Sequence, residues 1–122
     1  MTGPEQQWRE ALSEGRLVFQ RSRASGTVFF PPRITEPGTG DGDWEWVEAP
    51  SPATVYSVTV IPSRAGRATA VALVDFDGGG RMMGNVVGID AESVAIGMRV
   101  DVFVDRTGDA PRVQFDATRA AR

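Results

Sequence analysis

Apolar residues near the start of the chain recur with the spacing of a helix. Between residues 2 and 14, the side chains of Trp8, Ala11 and Leu12 fall on one helical face, and Gly15 follows as a plausible stop. So short an apolar stripe does not hold a helix in isolation. We therefore predict a helix over residues 2–14 that docks on its own domain or on a partner.

After this helix the pattern changes to short β-like stretches separated by turn-forming residues. Pro31 and Pro32 end one such stretch, and residues 35–43 are rich in glycine, aspartate and threonine. Three short strands are predicted in this region, at Leu17–Gln20, Thr27–Phe30 and Trp44–Val47. A module with so few core residues normally needs a staple such as a bound metal.

The rest of the chain alternates more regularly between apolar and polar positions, as half-buried strands do. A helical turn is predicted within Ala91–Met98, and Gly78–Gly80 is predicted to form a tight hairpin turn. The predicted strands are Thr54–Ile61, Ala68–Phe76, Arg81–Gly88, Arg99–Val104 and Arg112–Phe115. Five short strands with turns between them favour a small barrel, and their spacing suits an OB-fold.

Composition narrows the chemistry that the chain can perform. Its 122 residues suffice for one modest core, and they include no histidine, no cysteine and no lysine. The commonest general base, the thiolate nucleophile and the usual zinc and iron ligands are therefore missing. Catalysis by a carboxylate, serine or tyrosine stays possible, but no pair of carboxylates has a spacing that argues for acid–base work. We predict no catalytic residue and no cofactor.

Charge and hydropathy bear on partners and location. The formal net charge is −3, which argues against a dedicated nucleic-acid binder. No segment approaches the roughly 20 apolar residues that are needed to cross a membrane, and residues 1–17 lack the pattern of a secretory signal. The absence of cysteine fits a reducing compartment, so a cytoplasmic location is expected.

Several segments, taken in order, resemble one protein family. The segments are Gly15–Arg21, Phe30–Arg33, Trp44–Trp46, Thr54–Val60, Val71–Phe76 and Gly84–Gly88. They resemble the bacterial and archaeal OB-fold proteins with an N-terminal rubredoxin-like zinc ribbon, a domain-of-unknown-function family found beside thiolases, thiolase-like aldolases and MaoC-like hydratases. The resemblance implies a mainly β fold, with a docking helix at residues 1–16, a ribbon at 17–50 and a five-stranded OB barrel at 51–122.

The chain departs from this family at the zinc site. The family places four cysteines as two C-x-x-C pairs around the Pro-Pro-Arg segment. Here Ser22 and Ser25 occupy the first pair of positions, and Glu36 and Thr39 occupy the second. Because neutral hydroxyls are poor zinc ligands, we predict a degenerate ribbon without a metal.

The resemblance implies a non-catalytic accessory subunit of a thiolase-fold acyl-CoA lyase, aldolase or thiolase, as in steroid side-chain degradation. Such a subunit would stabilise its partner and help to shape the acyl-CoA channel, and dimeric partners imply an α2β2 heterotetramer. Three alternatives stay open. They are an accessory subunit of a MaoC-like enoyl-CoA hydratase, a stand-alone OB module that binds a ligand or single-stranded nucleic acid, and an enzyme in its own right.

Arginines supply the candidates for contact with acyl-CoA. Arg33 follows two prolines that stiffen the backbone, and its forked guanidinium suits a CoA phosphate or a partner carboxylate. Arg21 and Arg23 could extend the same phosphate-binding patch. The simpler alternative for all three is a solvated or internally paired arginine.

Apolar side chains supply the candidates for a partner interface, because tryptophan is enriched at binding hot spots. The candidates are Trp8, Leu12, Phe30, Trp44 and Trp46. The simpler alternatives are that Trp8 only packs the helix onto the barrel, and that Trp44 and Trp46 form the ribbon core in place of the metal.

Overall fold

A computed structural model describes residues 3–63 and 66–119 of the chain. The described chain is mainly β with one N-terminal α-helix, as predicted. The elements are α1 (Pro4–Ser13), β1 (Val18–Ser22), β2 (Val28–Phe29), β3 (Trp44–Glu48), β4 (Ala53–Ile61), β5 (Thr69–Asp75), β6 (Arg81–Val87), a 3₁₀ turn (Ala91–Ser93), β7 (Arg99–Asp105) and β8 (Arg112–Asp116).

Helix α1 begins at Pro4, with Gly3 as its N-cap and no side-chain cap. Proline suits the first helical position because its missing N–H would have no partner there and its φ is already helical. The predicted start at Thr2 lies outside the described residues. Ala11 and Leu12 are buried, so the predicted apolar stripe is the face that packs.

The described residues form two compact units, and the first contains residues 3–49, 78–80 and 104–112. Its sheet has the order β2-β1-β3, and both neighbours are antiparallel to β1. As the central strand, β1 is buried at four of its five positions, with only Arg21 exposed. Phe19 is the largest fully buried side chain of this unit.

The second unit contains residues 50–63, 66–77, 81–103 and 113–119. Strands β4, β5, β6, β8 and β7 close into a barrel in that order, with antiparallel β4–β5 and β5–β6 pairs and a parallel β6–β8 pair. Its core includes Val55, Val74, Val100 and Phe115. The contacts that close the barrel are short, because the pairs Val86 with Phe115 and Val87 with Asp116 join β6 to β8, and the pairs Ala53 with Val100 and Thr54 with Arg99 join β4 to β7.

Within the described residues, no helix is long and apolar enough to span a bilayer.

Candidate functional site

A pocket of about 350 Å³ in the first unit brings together three residues that the sequence analysis singled out. Trp8 contributes from α1, and Phe30 and Arg33 contribute from the segment that follows β2. The other lining residues are Glu5, Arg9, Pro31 and Pro32. The docking helix and the Pro-Pro-Arg segment therefore form one candidate site.

Aromatic rings form one wall of this pocket. The ring centres of Trp8 and Phe30 are 5.5 Å apart, and Phe30 lies 5.6 Å from Phe19, which is buried beneath the sheet's surface. The Nε1 of Trp8 is buried and has no hydrogen-bond acceptor within residues 3–63 and 66–119. An unpaired buried donor costs about 1–3 kcal/mol, so Trp8 contributes less to stability than its apolar contacts alone would give.

A buried glutamine fixes the backbone of Arg33. The side-chain Nε2 of Gln20 donates to the Arg33 carbonyl at 2.6 Å, and its Oε1 accepts from the Arg33 N–H at 2.7 Å. Gln20 itself is 0% exposed in the central strand β1. The amide thus satisfies both backbone groups of a loop residue and holds the Pro-Pro-Arg segment against the sheet.

The two arginines of the pocket differ in their charge partners. Arg9 forms an ion pair with Glu5, one helical turn earlier, at 2.8 Å. The guanidinium of Arg33 has no carboxylate within 4.0 Å in the described part of the chain. Arg33 is therefore the uncompensated positive charge of this pocket.

Arg21 and Arg23 do not line the pocket, and both are matched by carboxylates. Arg21 contacts Glu45 at 3.0 Å across the β1–β3 pair, and Arg23 contacts Asp43 at 2.7 Å. The hydrogen bond to Asp43 raises the pKa of Arg23 above its usual value. These pairs leave the two arginines less available to a phosphate than Arg33.

Trp44 and Trp46 lie on the same face of β3, with ring centres 5.2 Å apart in an edge-to-face arrangement. Each indole N–H has an acceptor: Trp44 donates to the Ile34 carbonyl at 2.8 Å, and Trp46 donates to Gln7 Oε1 at 3.0 Å. Both rings are half-buried. They tie the Pro-Pro-Arg segment and helix α1 to the sheet of the first unit.

Two loops that flank the Pro-Pro-Arg segment have the same backbone geometry. In loops 22–27 and 36–41, the N–H of the fifth residue, Gly26 or Gly40, donates to the carbonyl of the first at 2.9 Å. These glycines have φ values of +75° and +74°, where other residues are strained. The N–H of the sixth residue bonds the hydroxyl of the fourth at 3.1 and 3.2 Å.

Comparison with known proteins identifies the family to which this chain belongs. One chain of a solved structure described as "Ltp2-ChsH2(DUF35) aldolase" is 33% identical, with a TM-score of 0.81, and the match covers 96% of each chain. The chain belongs to the DUF35 family. A family model for the C-terminal OB-fold domain of ChsH2 matches residues 46–105, in agreement with the OB-fold predicted from the strand spacing.

Two further proteins resemble this DUF35 chain. A crystal structure of a DUF35 protein of unknown function from Sulfolobus solfataricus is 20% identical, with a TM-score of 0.71, and the match covers 95% of this chain and 87% of that one; it supports the fold alone. A probable enoyl-CoA hydratase alpha subunit from Thermomonospora curvata is 40% identical over 97 residues, or 76% of this chain. The DUF35 chain spans only 30% of that curated relative.

The four positions that the sequence analysis compared with a zinc site, Ser22, Ser25, Glu36 and Thr39, are joined by hydrogen bonds around one carboxylate. Glu36 is 5% exposed, and it accepts from the hydroxyl of Thr39 at 2.8 Å and from that of Ser25 at 2.9 Å. The Thr39 hydrogen bond, with smaller contributions from Ser25, Ser22 and Thr27, lowers the pKa of Glu36, although burial opposes this effect. The Glu36 carboxylate therefore links loop 36–41 to loop 22–27.

This arrangement does not fit zinc. The hydroxyls of Ser25 and Thr39 direct their protons at the Glu36 carboxylate, which is already stabilised as an anion. Zinc needs thiolate, imidazole or several carboxylate ligands, and one carboxylate with neutral hydroxyls is not such a set. Within residues 3–63 and 66–119, no group of three or more acidic, histidine or cysteine side chains is placed to hold a metal ion.

Proposed function

We propose that this chain is the non-catalytic accessory subunit of a thiolase-fold acyl-CoA lyase, aldolase or thiolase. The observation that carries the proposal is the match, over 96% of both chains, to the DUF35 component of a solved aldolase. The lack of histidine and cysteine supports it, because the carbon–carbon bond chemistry then falls to a partner. The partner is a lipid-transfer-protein-like aldolase or a thiolase.

The organisation of the chain follows from the same proposal. The proposal divides the chain into a docking helix at residues 1–16, a degenerate zinc ribbon at 17–50 and a five-stranded OB barrel at 51–122, although residues 78–80 and 104–112 within the last range cluster with the first unit. The matched geometry of loops 22–27 and 36–41 supports the ribbon, because two such loops can each present a first and a fourth side chain to a shared centre. In this chain the Glu36 carboxylate takes the place of the metal, because it binds Ser25 and Thr39 and so joins the two loops.

The pocket between helix α1 and the Pro-Pro-Arg segment is the contact site of the complex. Trp8 and Phe30 supply its apolar wall, and the unpaired guanidinium of Arg33 supplies the contact to a CoA phosphate at the shared interface. Leu12 is buried within the chain, so it supports the helix rather than the interface. Trp44 and Trp46 contribute indirectly to the contact site. Their hydrogen bonds to Ile34 and Gln7 hold the loop and the helix that form the pocket.

The proposed function also includes an α2β2 heterotetramer, a cytoplasmic location, acyl-CoA substrates such as those of steroid side-chain degradation, and no nucleic-acid or membrane partner.

The experiment that tests the proposed function is affinity purification of the tagged chain from its native host, with the partner identified by mass spectrometry. We expect a thiolase-fold protein at near equal amounts. Carbon–carbon bond cleavage should require that protein, and the DUF35 chain alone should give no turnover.

A MaoC-like enoyl-CoA hydratase is the second candidate partner. It is favoured by the 40% identity to the Thermomonospora curvata protein, which is named a probable enoyl-CoA hydratase alpha subunit. The same purification separates the two candidates. A hydratase at near equal amounts, with water addition to an enoyl-CoA as the activity of the complex, would replace the aldolase as the partner.

Replacing Arg33 with alanine is expected to weaken the contact with acyl-CoA and to leave the fold intact. A hydrogen bond between a charged donor and a phosphate contributes about 1.5–3 kcal/mol, so KM of the assembled complex should rise about 10- to 100-fold. Arg33→Lys should recover only part of this loss, because an ammonium cannot form the forked pair. Steady-state kinetics and thermal denaturation of each variant are the measurements.

Arg67→Ala is the matched control. Arg67 is exposed and has no ion pair within the described residues, but it lies outside the pocket. Its KM and melting temperature should stay at those of the unmodified complex. An unchanged KM for Arg33→Ala would rule out the phosphate contact, and a lower melting temperature would assign Arg33 a structural role instead.

A further inference from the structure

Residues 78–80 form the turn between β5 and β6, and they cluster with the first unit. All three are glycines with positive φ, at +86°, +122° and +98° in chain order. Other residues are strained at such angles, so the turn alone accounts for glycine at each of the three positions. The surroundings of the three glycines nevertheless differ, and the difference concerns the candidate site.

The space where a side chain would begin is open at Gly78 and filled at Gly80. At Gly78, no heavy atom of residues 3–63 or 66–119 lies within 4 Å of a Cβ position, apart from the chain neighbours. At Gly80, the same position is 2.9 Å from Cε2 and 3.2 Å from Cδ2 of Phe19. Because a Cβ essentially never approaches another atom closer than 3.0 Å, the Phe19 ring occupies the space that a side chain at position 80 would need.

The Phe19 ring cannot yield freely to such a side chain. It is 1% exposed, and its centre lies 5.6 Å from the ring centre of Phe30 in an edge-to-face arrangement. Phe30 lines the pocket, and its ring centre is 5.5 Å from that of Trp8. Because protein interiors are densely packed, a displaced ring moves its neighbours. Gly80, Phe19 and Phe30 therefore form a continuous line of contacts that ends at the aromatic wall of the pocket.

Gly79 approaches the same site by a second route. A Cβ position on Gly79 is 3.1 Å from the Cβ of Val28 and 3.5 Å from its carbonyl oxygen. Val28 and Phe29 form β2, and Phe30 follows them directly. The turn thus supports both the ring that packs against Phe30 and the strand that leads to Phe30.

We infer that Gly80 is a positioning residue of the candidate site. Through the ring of Phe19 it sets the place of Phe30, and so the aromatic wall against which the CoA moiety of the acyl-CoA lies. The inference rests on the proposed function, which supplies the ligand, and it adds a residue that does not itself line the pocket. Gly80 acts through the side chain that it lacks, since any side chain there displaces Phe19.

Gly80→Ala tests this inference in the complex of the chain with its purified partner, and Gly78→Ala is the matched control. Both changes place alanine at a positive φ, but only the first meets Phe19. Coenzyme A is the probe, because every acyl-CoA contains it, and calorimetric titration gives its Kd and the number of sites. We expect the Kd to rise about fivefold or more in Gly80→Ala and to stay constant in Gly78→Ala. A loss of stability alone would lower the number of sites without raising the Kd.

Fluorine NMR of the full chain labelled with 5-fluorotryptophan reports the movement itself. The chain has three tryptophans, and replacing each in turn with phenylalanine assigns the three resonances. Gly80→Ala should shift the Trp8 resonance, because Trp8 lies against Phe30, and Gly78→Ala should leave it in place. This measurement needs no partner, so it tests the line of contacts separately from the proposed function.

Phe19→Leu supplies a second route to the same measurements, which also covers a Gly80→Ala chain that fails to fold. The shorter side chain removes the ring between position 80 and Phe30, so it should shift the Trp8 resonance and raise the Kd for coenzyme A. In the Phe19→Leu background, Gly80→Ala should raise the Kd by a smaller factor than in the parent chain, because the ring that it displaces is gone.

The outcomes separate this inference from the proposed function. A Trp8 resonance that stays in place in Gly80→Ala and in Phe19→Leu would overturn the line of contacts. Equal effects of Gly80→Ala and Gly78→Ala would assign the effect to backbone strain and overturn it as well. An unchanged Kd in Gly80→Ala beside a raised Kd in Arg33→Ala would remove this inference and leave the proposed function standing. The absence of any stoichiometric partner would overturn both.

Discussion

Replacing Gln20 with leucine is expected to destabilise the first unit by about 2–4 kcal/mol. Leucine fills a similar volume but cannot bond the Arg33 N–H and carbonyl, which Gln20 reaches at 2.7 and 2.6 Å. Loss of partners for two backbone groups costs about 1–3 kcal/mol for each group that stays buried. Thermal denaturation and hydrogen exchange across residues 30–36 are the measurements, and the largest loss of protection should fall on that segment.

The same substitution should impair function below the temperature at which the unit unfolds. Arg33 would keep its charge but lose its fixed backbone, so the complex should show a raised KM for acyl-CoA, as is expected for Arg33→Ala. Gln6→Leu is the matched control, since Gln6 is exposed on helix α1 and the same change there should alter stability by less than about 0.5 kcal/mol. A Gln20→Leu chain with normal protection of residues 30–36 would contradict the role assigned to Gln20.

The strands of the barrel were predictable because one physical signal dominates them. In β5, buried and half-exposed positions alternate from Ala70 to Asp75, and the sequence carries that alternation directly. Helix α1 was predictable for the same reason, through the spacing of Ala11 and Leu12. Where one face packs and the other is solvated, the period of the pattern determines the element.

The polar centre of the first unit was not predictable in this way. Strand β1 is the middle of three strands, and Gln20 and Ser22 lie on the same buried face as Val18, where a hydrophobic pattern predicts no polar side chains. The partner of Gln20 is a backbone 13 residues away, and sequence spacing carries no information about that contact. Glu36, in a turn-rich run, has the pattern of a solvated charge although it is almost fully buried.

The sequence identifies the candidate residues but does not show which of them lie together in the fold. Arg33 was singled out for its guanidinium, and Trp8 and Phe30 for their apolar surface, yet nothing in their spacing placed them in one pocket. The pairing of Arg21 with Glu45 depends on the β1–β3 register, which a sequence with a long intervening loop does not determine. Tertiary register therefore decides which arginine is left uncompensated.

Replacing Glu36 with leucine is expected to disorder the two loops that it joins. The hydroxyls of Ser25 and Thr39, which belong to exposed residues, would lose the buried carboxylate that they share, and the two loops would lose the group that joins them. Hydrogen-exchange protection of residues 22–27 and 36–41 should fall about tenfold or more, while the barrel keeps its protection. Glu10→Gln, an exposed change on helix α1, is the control and should leave both loops unaffected.

Acid should reproduce part of this effect in the unmodified chain. The pKa of Glu36 is lowered by folding, so its ionised form stabilises the folded state fully above the usual value of 4.5, and this stabilisation is lost as the pH falls through the lower, folded value. Glu36→Gln should lack this component of the acid response. The Glu36→Gln variant should still lose stability in acid through other carboxylates, such as Asp105, whose pKa is lowered chiefly by the Thr107 hydroxyl.

A fourfold substitution tests whether the carboxylate stands in for a metal. If loops 22–27 and 36–41 are the two halves of a ribbon, cysteines at positions 22, 25, 36 and 39 should converge as a tetrahedral thiolate site. The combined variant Ser22→Cys, Ser25→Cys, Glu36→Cys and Thr39→Cys should bind one Zn²⁺, regain loop protection with the metal and lose it with a chelator. X-ray absorption would report four sulfur ligands at about 2.3 Å. Restored protection without zinc, or zinc bound with fewer than four sulfurs, would show that the loops do not share a centre, and the ribbon assignment would then fail.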